Sequence, residues 1–107
     1  MRAYASLTRR GDFARVHRRG RRHPGRLLMC LIAEGARATR VGVTVSSEVG
    51  GAVVRNRLKR RLKALLDRYA LGGPPFRDIV IVARPGAGDV PFLELEDEIE
   101  RTFGPLP

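Results

Sequence analysis

Ala52-Val53-Val54-Arg55-Asn56-Arg57-Leu58-Lys59-Arg60-Arg61-Leu62-Lys63-Ala64-Leu65-Leu66 is the stretch around which the rest of the chain can be read. Six of these fifteen residues are cationic, none is anionic, and Gly and Pro are absent. At about 100° per residue, Val54, Leu58, Leu62, Leu65 and Tyr69 fall within about one third of a helix circumference, a stripe that needs burial. Arg57, Arg61 and Arg68 line one flank and Arg55 and Lys59 the other, with Asn56, Arg60 and Lys63 outermost. A solvated surface helix normally mixes in Glu at i, i+4, and here no acid precedes Asp67. The pattern predicts a helix that buries one side and presents the other to polyphosphate.

Charge elsewhere agrees with that reading. Residues 1–63 hold 17 Lys and Arg against 3 Asp and Glu, whereas residues 64–107 hold 4 against 8. A cationic block of this kind is suited to an anion, whether RNA, DNA, anionic lipid or acidic protein. Lipid fits least, because the apolar side of the helix is needed for the core and carries no Trp or Phe to insert. At 107 residues the chain predicts a single domain over 1–107. No apolar run approaches the roughly 20 residues of a membrane span, and Met1-Arg2-Ala3-Tyr4 lacks the apolar segment of a signal peptide. With a lone Cys30 and no Cys/His cluster, a reducing cytoplasm is the expected setting.

Upstream, Leu7 through Arg19 reads as a first helix, with Thr8 as N-cap, Phe13 and Val16 on the apolar side and Gly20 as C-cap. Phe13 suits core or ligand on its spacing. His17, beside Arg18 and Arg19, is suited to stacking on a base or to simple exposure, and Arg10, Arg15 and Arg18 add charge. His23-Pro24-Gly25 reads as loop. Leu27–Ile32 reads as a buried strand and Glu34–Ala38 as a turn. Val41–Ser46 alternates, with Val41, Val43 and Val45 on a core face and Gly42, Thr44 and Ser46 on a small polar face open to a partner. These two strands are expected to pair as a hairpin. Downstream, the basic helix should end at Leu71–Pro75. Asp78–Ala83 reads as an interior strand covered on both faces. Pro91–Phe103 reads as an acidic closing helix with Leu95, Ile99 and Phe103 inward, and its carboxylates Glu94, Glu96, Asp97, Glu98 and Glu100 on a solvated face. The order α-β-β-α-β-α defines an α+β fold, a small sandwich of sheet and helices. No nucleophile–base pair, P-loop or dinucleotide fingerprint is present. From residues alone the chain is an RNA- or DNA-binding domain without a catalytic centre of its own, and a ribosome- or nucleoid-associated binding module is the alternative.

The stretch from Ala52 to Leu62 also resembles the signature of the protein subunit of bacterial ribonuclease P. Phe13-x-x-Val16-x-x-x-Gly20, Val41–Ser46, Gly50, Asp78–Pro85 and Phe92-x-x-Leu95 resemble family positions in consistent order over about residues 7–103. The resemblance implies an α/β sandwich in which the basic helix joins parallel strands by a left-handed crossover. It implies removal of the 5′ leader of precursor tRNA, with the chemistry and the magnesium ions carried by a catalytic RNA and no catalytic residue in the protein. Arg55, Asn56, Arg57, Lys59, Arg60, Arg61 and Lys63 would meet that RNA or bound metal. Phe13, His17, Thr44, Ser46 and Arg15 would meet the leader. The implied partners are the catalytic RNA and precursor tRNA, with no membrane and no obligate protein partner. The chain departs from the family pattern in three respects: Ser47 and Glu48 stand where two Lys are usual, His17 replaces a second aromatic, and the first strand offers Met29 and Leu31 where an aromatic is common.

Overall fold

A computed structural model describes residues 4–69 and 74–104. Eight elements follow in chain order: β1 (Ala5–Ser6), α1 (Arg10–Arg19), β2 (Arg21–Pro24), β3 (Leu28–Glu34), β4 (Arg40–Val45), α2 (Ala52–Asp67), β5 (Arg77–Ala83) and α3 (Phe92–Phe103). They build one five-stranded sheet in the order β1-β4-β5-β3-β2.

β5 occupies the middle because its sequence allows nothing else. Ile79, Val80 and Ile81 are apolar on both faces, so the strand must be covered above and below and paired on both edges. All three are fully buried. β5 runs parallel to β4 and antiparallel to β3. The expected hairpin between the strands at 27–32 and 41–46 is therefore corrected. β3 and β4 do not pair, since β5 lies between them. Proximity in sequence favours a hairpin, but a doubly apolar strand gains more by entering the centre than an edge position could give it. α2 connects the parallel neighbours β4 and β5.

The two sheet faces carry different helices. On one, Leu28, Cys30, Val41, Val45, Ile79, Ile81 and Ala83 pack with Leu58, Leu62, Leu65 and Leu66 of α2 and with Leu95 and Ile99 of α3. Burying each such leucine contributes about 1.5–3 kcal/mol. Leu66 joins the predicted stripe of α2, while Val54 and Tyr69 at its ends are half-buried. On the other face, Leu31 and Val80 pack with Leu7 and with Val16 of α1.

Three boundaries shift from the sequence reading. α1 begins at Arg10 rather than Leu7, with Arg9 rather than Thr8 at the N-cap. Leu7 instead continues strand-like pairing: its N–H donates to the Val41 carbonyl at 2.9 Å, and its side chain is 4% exposed. His23 and Pro24, expected in a loop, belong to the edge strand β2 paired with β3, where proline costs no ladder bond. The basic helix ends at Asp67; of its expected terminus, Leu71–Gly73 lie outside the described residues.

Glu98 departs from its expected solvated face. It is 8% exposed, and its two carboxylate oxygens accept the backbone N–H groups of Leu27 and Leu28 at 2.8 and 3.0 Å. It pins α3 to the start of β3. A Cβ on Gly25 would stand 2.0 Å from its Oε1, so the turn needs glycine there. Glu98→Ala leaves two buried donors unpaired, at about 1–3 kcal/mol each. Urea unfolding is expected to show a loss of about 2–4 kcal/mol with an unchanged m-value. Nearby Cys30 is 2% exposed, and burial pushes its thiol up to about 11, so it stays an unreactive thiol.

Candidate nucleic-acid interface

The outer side of α2 is a cationic surface. Asn56, Arg57, Arg60 and Arg61 are exposed, and Arg55, Lys59 and Lys63 are half-buried. The packing of Leu58, Leu62 and Leu65 fixes this orientation, because the same helix rotation that buries them turns the cations outward. Asn56, Lys59, Arg60 and Lys63 line a shallow recess with Ala64 and Asp67. Arg57 and Arg61 flank a second one reaching Val90, Phe92 and Leu95, where the Arg61 guanidinium lies over the Phe92 ring, 5.7 Å from its centroid. The first turn of α2 holds no acid. Arg55 thus stands at the positive end of the helix dipole, an arrangement that is unfavourable for the free helix and favourable for a bound anion. Tyr4 donates its hydroxyl to the Lys63 carbonyl at 2.6 Å, tying the start of the described chain to the back of this helix.

On the opposite face of the sheet, α1 covers only part of the surface. Gly42, Val80 and Leu31 are register partners in one row beneath it. Phe13 lies directly on Gly42, where an added Cβ would come within 2.5 Å of the ring. The next row, Thr44, Val82 and Met29, is left partly open: Thr44 is exposed and the other two are half-buried. The result is an apolar floor with hydroxyl groups at its side and Phe13 at its edge. Ser46 is exposed beyond the end of β4, and His17 is exposed on α1. Ser47 and Glu48 are exposed where the family pattern has cations.

Arg15, expected at the leader, has a partner within the protein. Its guanidinium pairs with Asp78, which is 1% exposed. Arg40 donates to both oxygens of the same carboxylate at 2.9 and 2.8 Å and to Asp12 at 3.2 and 3.4 Å. Burial alone would raise the Asp78 carboxyl, but the two guanidiniums reverse this and hold it below the usual carboxylate range. Arg15 is thus committed to an ion cluster between α1 and the sheet. The sequence reading missed the partner because Asp78 lies 63 positions away.

Two further cations carry buried, unpartnered donors: the Nε atoms of Arg55 and Arg84 have no hydrogen-bond partner among the described residues. Arg84, which immediately follows β5, was not singled out in the sequence. Its only local signal is a charge directly after an apolar strand. Among the described residues no three His, Cys, Asp or Glu come close enough to hold a metal ion, and Asp12 and Asp78 already serve arginines. No helix among them is long and apolar enough to cross a membrane.

A basic α+β domain that buries one side of a cationic helix, and leaves an apolar strip beside α1 partly open on the reverse of its sheet, belongs to the nucleic-acid-binding class. The ribonuclease P family profile matches residues 1–106. The chain is 45% identical to the ribonuclease P protein component of Streptomyces avermitilis, over 88% of this chain and 85% of that one. It is 38% identical to that of Acidothermus cellulolyticus, over 94% and 86%. The fold superposes on the Staphylococcus aureus RNase P protein with a TM-score of 0.80 at 25% identity, covering 90% of this chain and 89% of that one. The chain belongs to the ribonuclease P protein family. Its role is that of a protein component in the endoribonuclease that processes tRNA 5′ ends, where it functions with the ribonuclease P RNA.

Proposed function

We propose that the outer face of α2 docks on the catalytic RNA and that the cleft between α1 and the sheet receives the 5′ leader of precursor tRNA. The observation that supports this most is the pairing of two unlike surfaces on one scaffold. α2 offers Arg57, Arg60 and Arg61 to phosphate. The opposite sheet face offers Phe13 to a base and Thr44 and Ser46 to sugar or phosphate, which is the combination of stacking and polar contact that single-stranded RNA needs. His17, exposed on α1 one turn after Phe13, is a further candidate contact for the leader.

Magnesium, on this reading, is held mainly by the RNA. What the protein supplies is charge neutralisation and substrate retention: cations on α2 offset crowded phosphates, and the cleft adds contacts to precursor that mature tRNA lacks. Cleavage takes place in the cytoplasm. The test is reconstitution. The chain is added to the RNA subunit of a bacterial ribonuclease P at a magnesium concentration too low for the RNA alone, and precursor tRNA cleavage is followed. Stimulation that grows with leader length is expected. No stimulation would overturn the docking reading, and stimulation independent of the leader would overturn the cleft reading.

A further inference from the structure

The ion cluster at the closed end of the cleft has a geometry that bears on where Phe13 stands. Arg40 and Gly42 are successive same-face positions on β4. Asp12 and Phe13 are neighbours on α1. Arg40 takes Asp12, and Gly42 takes Phe13. Asp78, paired across the sheet with Arg40, ties both ends together by holding Arg40 from β4 and Arg15 from α1. Apolar contact from Val16 keeps α1 on the sheet but is non-directional. The guanidinium–carboxylate bonds are directional, and two donors from Arg40 onto one carboxylate fix an orientation as well as a distance. Among the described residues, the ion pairs that join α1 to the sheet are those of Arg15 with Asp78 and of Asp12 with Arg40, while Arg40 with Asp78 links β4 to β5 within the sheet.

We propose that Asp78, with Arg40, Arg15 and Asp12, is a positioning cluster that sets the register of α1 on the sheet and so holds Phe13 at the edge of the cleft where a leader base stacks. The cluster does not itself touch RNA. Asp78 is buried beneath α1, and its two arginines are neutralised by it and by Asp12. This inference rests on the leader-cleft reading above.

The experiment uses the reconstituted holoenzyme and precursor tRNA under conditions that block cleavage. Leaders carry a single abasic nucleotide at successive positions, and the ratio of dissociation constants, abasic over intact, is measured at each. In the wild-type complex the ratio should rise above one at the position that faces Phe13. Phe13→Ala should bring it to about one. Asp78→Asn and Arg40→Lys should lower it at least threefold towards one, with affinity for the abasic substrate and for the RNA subunit kept within twofold. Any residual effect of altered charge at the cluster acts on intact and abasic leaders alike, so the ratio separates it from lost stacking. A folded Asp78→Asn protein that keeps the wild-type ratio would overturn the proposal. So would a loss of affinity shared equally by every substrate, which is what a merely structural role would give. If Asp78→Asn does not fold, Arg40→Lys and Asp12→Asn decide by the same ratio. If Phe13→Ala keeps the wild-type ratio, the leader-cleft reading fails first and the positioning role fails with it.

Discussion

Replacing Arg57 and Arg60 together by Ala is expected to lower the salt dependence of RNA-subunit binding by about 1.4–1.8 in the slope of log K against log salt, at about 0.7–0.9 for each lost phosphate contact. At 0.15 M salt a change of that size corresponds to roughly 20-fold weaker binding. Both side chains are exposed, Arg60 on the outermost face of the helix and Arg57 on a flank of the stripe that buries Leu58 and Leu62. Thermal unfolding should therefore stay close to wild type, as is usual for surface substitutions away from the core. The measurement is an equilibrium titration of labelled RNA subunit at several salt concentrations. An unchanged slope would mean that this face of α2 does not meet phosphate.

Removing the carboxylate of Asp78 is expected to have the largest effect on stability of any single change at the ion cluster. Breaking a buried ion pair by deleting one partner costs about 3–5 kcal/mol. Here the lower end applies, because Arg15 and Arg40 keep side-chain exposures of 30% and 33% and can rehydrate. Asp78→Ala should thus lose about 3 kcal/mol in urea unfolding. The pH dependence follows from the direction of the shift. The carboxyl is held lower in the folded protein than in the unfolded chain, so its contribution is fully present above the unfolded value of about 3.9. It is lost as pH falls below that value and through the folded one. Wild-type stability should therefore drop on acidification below about pH 4, and the difference between wild type and Asp78→Ala should shrink over the same range. A difference that persists into acid would show that the carboxylate is not what holds α1.

Much of this molecule was legible in the chain because its strongest signals are local. The period of Val54, Leu58, Leu62 and Leu65 fixes which side of α2 faces the core, and the cations follow by exclusion. The alternation of Val41–Ser46 separates a core face from the face bearing Gly42, Thr44 and Ser46. The unbroken β-branched run at Ile79–Val82 marks a strand covered on both sides. What was not legible depends on partners distant in sequence. β5 displaces the expected hairpin because sheet order is set by which strand most needs two neighbours, a competition no single window contains. Glu98 reads as one more acid on an acidic helix until the N–H groups of Leu27 and Leu28 are brought to it. Arg15 reads as spare charge until Asp78 arrives beneath it. In both cases the partner of a charged group is supplied by a long-range contact, and composition gives no sign of it.

The central claim is that two opposite surfaces serve two different RNAs. It is tested most directly by tethering a hydroxyl-radical-generating iron chelate through a single introduced thiol, at Asn56→Cys on α2 or at Thr44→Cys in the cleft. Cys30 does not interfere, being 2% exposed and held in its unreactive thiol form by burial. In the holoenzyme–precursor complex, the probe at position 56 should cut the RNA subunit and spare the leader. The probe at position 44 should cut the leader at adjacent nucleotides and leave the RNA subunit largely intact. Leader cleavage from position 56, or none from position 44, would contradict the account.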